Sequence, residues 1–270
     1  MLKDNFKMPL LYQIQDRNTL DRGLAYAESC FETWRVLNGD VFLLSKHQQR
    51  LQQAMHLLGW DVSLSVIQTW FDHAHQTAMQ QGKDILIRLS ISAGEAAWGL
   101  LPKQEPLLNV YVQTMPAMKR APLHLQSVEW MFPRYEKIAK LSMDYGFELR
   151  AMQQWKENLK PPKQALICQN SEVMHSFTAN VFLYRQGQWW TAKGLGILSG
   201  VVQGFLLEQG LVQGIVCPQA WLNDCEAMAC SNSGVFLQPV QSINGRNLDG
   251  THQALDALYA ALSHEKGVVL

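Results

Sequence analysis

Two apolar runs, Thr33–Leu37 and Val41–Leu44, flank the dipeptide Asn38-Gly39. An Asn-Gly pair accepts the positive φ angles of a two-residue turn between right-twisted strands, so the chain must double back here as a β-hairpin. A helix is expected directly afterwards. Ser45 stands three residues before Gln48, as in a capping box, and Leu51, Ala54, Met55 and Leu58 recur at helical spacing until Gly59. Ser63 predicts the cap of a second helix, with Val66, Ile67, Trp70, Phe71, Ala74 and Ala78 as its apolar stripe before Gly82. From Ile85 to Ser92 the positions Ile85, Ile87, Leu89 and Ile91 alternate with Arg88, Ser90 and Ser92, the pattern of a half-buried strand. Leu107–Thr114 reads as its partner.

The chain has 270 residues, of which 47% are hydrophobic, so it holds one large domain or two small ones with real cores. Met115–Pro122 carries Pro116, Lys119, Arg120 and Pro122 with little periodicity. It predicts a linker at about residues 116–122 between an N-terminal α/β domain, 1–115, and a C-terminal domain, 123–270. In the second half we expect a helix over Leu141–Trp155, a Lys/Pro loop at Lys160–Lys163 and a strand at Ala165–Cys168. A hairpin follows, with Val181–Tyr184 and Trp189–Thr191 as its strands, and a last helix over Thr251–Ser263 carries Leu255, Leu258, Tyr259 and Leu262 on one face. Strands and helices do not alternate regularly, which makes the class α+β.

Charge narrows the function. Lys+Arg and Asp+Glu are 23 each, a formal net charge of +0, so the basic footprint of a general nucleic-acid binder is missing and so is an electrostatic pull towards membranes. No apolar stretch approaches the roughly 18 residues that span a bilayer, and Met1–Asp16 mixes Lys3, Asp4 and Lys7 with short apolar pairs. A cytoplasmic protein is expected. Cys30, Cys168, Cys217, Cys225 and Cys230 form no C-x-x-C pair and have no H-x-x-H partner. Buried thiols rather than a metal site or a disulfide scaffold are the reading.

One segment has the pattern of an anion site. Gly194-Leu195-Gly196-Ile197-Leu198-Ser199-Gly200 leads into the apolar residues Val201, Phe205 and Leu206, with Gly210 as the stop. A helix start presents unpaired N–H groups and a partial positive charge that can hold a phosphate, although a purely structural strand-to-helix turn has the same pattern.

The order of motifs resembles the fold-type IV pyridoxal-phosphate enzymes, the family of branched-chain and D-amino-acid aminotransferases and aminodeoxychorismate lyase. Asp21-Arg22-Gly23-Leu24-Ala25-Tyr26 and Cys30-Phe31-Glu32-Thr33-Trp34-Arg35 are similar to the family's opening, with Ala27, Glu28 and Ser29 in place of its G-D-G. His47-Gln48-Gln49-Arg50-Leu51 resembles its H-x-x-R-L element, which implies that Arg50 holds the cofactor phosphate; a solvent-facing helical arginine is the alternative. Lys140, five before Tyr145, falls where the family's cofactor-bonding lysine stands, with Lys137 as the competing choice and Tyr145 implied against the cofactor's phenolic oxygen.

Val173–Phe182 lines up with V-T-E-G-S-T-S-N-I-F and puts His175 where the family places a glutamate against the cofactor's ring nitrogen. Glu172, three residues away, falls on the opposite face of a strand. A neutral imidazole lacks the carboxylate's charge, so slow transamination is expected. Gly196–Gln203 resembles the phosphate loop G-I-L-P-G-I-T-R, with backbone donors at Val201 and Val202 but Val202 and Gln203 where a threonine and an arginine are usual. Ser231-Asn232-Ser233-Gly234 resembles a later phosphate contact, with Ser233 at the hydroxyl position.

The resemblance implies a two-domain α+β fold of the D-amino-acid aminotransferase type, a barrel-like C-terminal domain and a site between the domains. It also implies pyridoxal 5'-phosphate as cofactor, a small-molecule substrate and a homodimer. Cys30-Phe31 and the compact length favour a lyase resembling aminodeoxychorismate lyase, which forms 4-aminobenzoate and pyruvate in folate biosynthesis; Glu32 is more typical of aminotransferases. A branched-chain or D-amino-acid aminotransferase is one alternative. A degenerate homologue that binds without the cofactor is another.

Overall fold

The structure is a computed structural model that describes residues 17–101, 107–117, 123–155 and 163–266. Its first half comprises β1 (Leu20–Asp21), α1 (Arg22–Tyr26), β2 (Ser29–Leu37), β3 (Asp40–Val41), α2 (Leu44–Leu57), α3 (Leu64–Met79), β4 (Asp84–Ser92), β5 (Glu95–Ala96) and β6 (Asn109–Pro116). β3, β2, β4 and β6 form one antiparallel sheet, and β1 pairs with β5 apart from it. Asn38 and Gly39 take φ of 53° and 91°, so the hairpin turns on the two residues that the sequence marks.

Alternation then sorts the sheet's faces. Glu32, Trp34 and Val36 of β2 lie opposite Leu89, Ile87 and Ile85 of β4, and all six are buried. The apolar members pack under α2 and α3 with Leu51, Ala54, Met55, Ile67, Phe71 and Ala74. Phe31, Thr33, Leu86 and Arg88 consequently share the other face.

Two local expectations need correction. Helix α2 starts at Leu44, with Leu43 as its N-cap in the left-handed region and no side-chain cap, so Ser45 is already helical and makes no capping box. Hydrophobic packing has overridden the cap: Phe42, next to that turn, is buried against the rings of Phe205 and Phe236. Val66 is exposed although it belongs to the apolar stripe of α3, whose buried face is Ile67, Phe71, Ala74 and Ala78. Ser63 does cap that helix, its hydroxyl accepting from the Val66 N–H at 3.4 Å.

The second half comprises β7 (Leu123–Glu129), α4 (Tyr145–Trp155), β8 (Lys163–Gln169), β9 (Glu172–Ser176), β10 (Asn180–Arg185), β11 (Gln188–Ala192) and α5 (Val201–Glu208). It continues with β12 (Val212–Ile215), β13 (Cys217–Pro218), β14 (Ala227–Ser231), β15 (Gln238–Ile243), β16 (Arg246–Asn247) and α6 (Ala254–Lys266). Its mixed sheet runs β12-β11-β10-β14-β15-β7-β8-β9-β13, with β16 on β15. β9 and β13, at one end of that path, return against β10 and β11, so the sheet curls towards closure. The β10–β11 hairpin turns on Gln186-Gly187, both at positive φ. Leu255, Leu258 and Leu262 bury α6 against Phe182, Phe205 and Phe236, as the spacing of the last helix predicts.

Of the expected linker, residues 118–122 lie outside the described residues, and Pro116 still belongs to β6. Residues 1–16 and 160–162 also lie outside, while Lys163 opens β8 rather than ending a loop. All five cysteines are free and buried, and burial pushes Cys30, Cys168, Cys217 and Cys230 up to about 12. Among the described residues no helix is long and apolar enough to cross a membrane.

Candidate active site

Between β7 and α4 the chain returns to the first sheet. Cys30 makes a β-bridge to Leu141, and the Phe31 N–H donates to the Lys140 carbonyl at 3.1 Å. Lys140 is therefore fastened to β2 beside the face that carries Phe31, Thr33, Leu86 and Arg88. These residues line a cavity of about 280 Å³ whose opposite walls come from α4, β9, the start of α5 and the turn after β14. Lys140, Arg50, Tyr145, His175, Val201, Val202 and Ser233 all border it.

At one end the loop 194–200 enters α5. A Cβ on Gly200 would stand 2.0 Å from Asn180 Oδ1, so only glycine lets the loop approach, and Asn180 Nδ2 holds it by donating to the Leu198 carbonyl at 2.8 Å. The N–H groups of Val201 and Val202 then have no partner within the helix. Gln203 points away from the cavity: its amide donates to Thr191 Oγ1 at 2.8 Å and to the Ala192 carbonyl at 3.1 Å, and its Oε1 accepts from the Gly200 N–H at 3.4 Å. The side chain at 203 is thus committed to the scaffold.

Arg50 is buried, so the solvent-facing alternative fails. Its Nε and Nη2 donate to Glu32 at 2.6 and 2.9 Å, and Nη1 donates to the Ser199 carbonyl at 3.0 Å. Two of the five guanidinium N–H groups remain for the cavity. Glu32 also lies 2.9 Å from His47 Nδ1. Burial pushes Glu32 up, but the charges of Arg50 and Lys140 and the bonds from His47 and Arg50 outweigh it and hold the carboxyl well below the usual range. Ser231, absent from the expected site, contributes a buried hydroxyl with no hydrogen-bond partner in the protein. Its motif gave the signal, since Ser231 opens the Ser-Asn-Ser-Gly segment.

At the other end stand two lysines with different fates. Lys137 forms an ion pair with Glu148 Oε1, whereas Lys140 has no carboxylate within ion-pair distance among the described residues and places Nζ 5.5 Å from the centre of the Phe31 ring. Burial is the largest influence on Lys140; against Glu32 and with Arg50 and Arg88 it brings the amine down to about 8. Tyr145 packs on Phe31 at 5.4 Å, and burial raises its hydroxyl against the opposing pull of Arg88. His175 Nδ1 lies 2.7 Å from the Ser176 carbonyl. A carbonyl only accepts, so Nδ1 carries the proton; burial lowers the ring's pKa, and Nε2 is left as an acceptor. Glu172 is engaged elsewhere, paired with Arg134.

This fold and donor set define a class. Residues 29–243 match the family model of the class IV aminotransferases, and the chain belongs to that family. It is 25% identical over 209 residues to the probable branched-chain-amino-acid aminotransferase of Rickettsia bellii, covering 73% of this chain and 70% of that one. Among solved structures, a candidate 4-amino-4-deoxychorismate lyase from Legionella pneumophila superposes with a TM-score of 0.76 at 22% identity, covering 96% of this chain and 97% of the other. A hypothetical aminotransferase from Mycobacterium tuberculosis in its PLP-bound form gives 0.74 at 17%, covering 98% and 95%. These likenesses show the same α+β fold.

Pyridoxal phosphate is the cofactor of this enzyme class, and the cavity suits it. An orphaned hydroxyl at Ser231, a glycine-dependent helix start and a half-used guanidinium at Arg50 converge as anion donors at one end. A buried amine with a lowered pKa stands at the other.

Proposed function

We propose that the chain is a pyridoxal-phosphate-dependent lyase of the aminodeoxychorismate lyase type, releasing 4-aminobenzoate and pyruvate from a carboxylated cyclic amine. Arg88 carries this reading. Its guanidinium stacks 3.7 Å over the Phe31 ring at the cavity wall and has no carboxylate partner among the described residues. A guanidinium so placed takes a carboxylate, which aminodeoxychorismate supplies from its ring and its enolpyruvyl group as an amino-acid donor does from its α-carbon.

Arg50, the N–H groups of Val201 and Val202, Ser233 and Ser231 hold the cofactor phosphate, and Tyr145 and His175 flank its ring. Pyridoxal phosphate, when bound, supplies an electron-accepting ring and an aldehyde carbon that an amine can join. Lys140 is the amine. With its pKa near 8 an appreciable share is neutral at physiological pH, and Nζ can take a proton from a bound substrate and return it. Phe31 forms the wall beside Nζ, and Tyr145 packs on that ring.

The division into two domains with a boundary within 116–122 belongs to the same reading, as do a place in folate biosynthesis and a cytoplasmic location. So does a homodimer, for which the exposed Leu24, Trp98, Leu100, Leu101 and Leu107 offer apolar surface. Amino-group transfer is the second reading, favoured by the Rickettsia relative's name. Pyruvate release from aminodeoxychorismate without added 2-oxoglutarate, lowered at least about tenfold in kcat/KM by Arg88→Leu, is the expected result. Glutamate formation from leucine and 2-oxoglutarate, with no pyruvate from aminodeoxychorismate, would replace the lyase by the aminotransferase.

A further inference from the structure

Glu148 borders the cavity with its chemistry unfinished, at a position that no motif assigns. It is nine-tenths buried on α4, with Oε1 taken by Lys137 and Oε2 without a hydrogen-bond partner. Tyr145, Glu148 and Ala151 follow at three-residue intervals and so share a face of α4. Ala151 packs in one cluster with Met174 of β9, which turns Glu148 towards the strand that bears His175. Both residues border the cavity, and the charge of Glu148 acts on the His175 ring.

A buried carboxylate oxygen without a donor costs on the order of 1–3 kcal/mol or more, so an acceptor left open on a cavity wall suits a ligand N–H. Charge says which kind. Lys137 stands among two carboxyls, Glu148 and Asp144, with His175 neutral and Tyr135 and Tyr145 protonated around them. Lys137 answers only one oxygen of Glu148, which leaves the second for a ligand N–H that carries positive charge. His175 alone offers an acceptor at Nε2 and no charge.

We propose that Glu148 supplies, from α4, the negative charge that keeps the ring nitrogen of bound pyridoxal phosphate protonated, with His175 beside it as a neutral neighbour. The inference rests on the cofactor reading and not on the choice between lyase and aminotransferase. It makes Glu148 a functional replacement, on a different element, for a carboxylate at position 175.

The test uses the full chain loaded with pyridoxal phosphate whose ring nitrogen is isotopically labelled, and reads the protonation of that nitrogen by NMR shift across a pH series. Glu148→Gln should lower its pKa by at least about one unit and Glu148→Asp should recover part of the loss. Lys137→Met, which removes the competing cation, should raise the value or leave it. Should Glu148→Gln fold poorly because Lys137 is left unpaired, the double variant Lys137→Met/Glu148→Gln removes both charges and should show the same fall. An unchanged ring pKa in Glu148→Gln, or a fall of equal size in Lys137→Met, overturns the proposal and leaves the pair a structural one. A wild-type chain that takes up no cofactor gives no bound resonance, and that result overturns the cofactor reading together with the proposal. A loaded chain that forms no pyruvate defeats only the lyase reading.

Discussion

Behind one end of the cavity Glu32 gives both oxygens to Arg50 and His47; at the other end Glu148 gives one oxygen to Lys137 and keeps the second open. Both carboxylates are buried and both face a cation, yet only the first is saturated. Saturation fixes geometry, because two bonds to Glu32 and one to the Ser199 carbonyl hold Arg50 in a single orientation towards the start of α5. The open oxygen addresses something outside the protein. The two lysines repeat the contrast three residues apart: Lys137 is closed by Glu148, and Lys140 has no carboxylate within ion-pair distance among the described residues.

The largest expected effect falls on the open side. Lys140→Ala should reduce turnover by at least about a thousandfold. Borohydride reduction of the loaded wild type should place the pyridoxyl group on the peptide that carries Lys140; finding it on Lys137 would reverse the contrast. In the apo-protein, modification of Lys140 by an amine reagent should rise with a midpoint near pH 8, in line with its pKa, instead of near the ordinary lysine value.

The saturated side should respond in stability. Glu32→Gln leaves Arg50 buried against a neutral partner and should cost about 3–5 kcal/mol in urea unfolding, whereas Glu32→Leu with Arg50→Met should cost less than that single change. The pH sign is set by the depressed carboxyl: its contribution is present above the unfolded glutamate value of about 4.3 and is lost as pH falls below it. A wild-type acid unfolding curve that coincides with that of Glu32→Gln would deny the network its role.

Arg50→Ala should weaken cofactor binding about ten- to a hundredfold, as expected for one or two charged hydrogen bonds of about 1.5–3 kcal/mol each that are partly replaced by neighbours. Titration of the apo-protein with pyridoxal phosphate reads this directly, and tight binding indifferent to the substitution would contradict it. Ser231→Ala gives the smallest effect and the sharpest sign. The apo-protein should be no less stable, because an unsatisfied hydroxyl is removed, while cofactor affinity should fall about three- to tenfold. Equal losses in both measurements would mean that Ser231 is bonded within the protein.

Much of this fold was legible in short windows of sequence. The Asn38-Gly39 and Gln186-Gly187 turns, the alternation through Ile85–Ile91, the stop at Gly59 and the glycine loop before Val201 each depend on residues a few places apart, and the structure follows them. Ser45 shows where that legibility ends: its capping pattern was present, but burial of Phe42 against Phe205 set the start of α2 instead. The residues brought to the cavity were largely nameable from motifs. Their states were not.

Residue identity and spacing determined that Arg50, Lys140, Tyr145, His175 and a helix start after Gly200 occur in this order, because periodicity and turn chemistry act over one or two turns of chain. Tertiary structure decided what each could do. Arg50 is held by Glu32, 18 residues away, and by Ser199, 149 residues away; Gln203 is drawn off by Thr191; and Glu148 meets Lys137 across 11 residues that include the return to β2. Ion pairing, desolvation and unsatisfied donors are properties of neighbours in space, and the chain acquires those neighbours only when its two sheets close around the cavity.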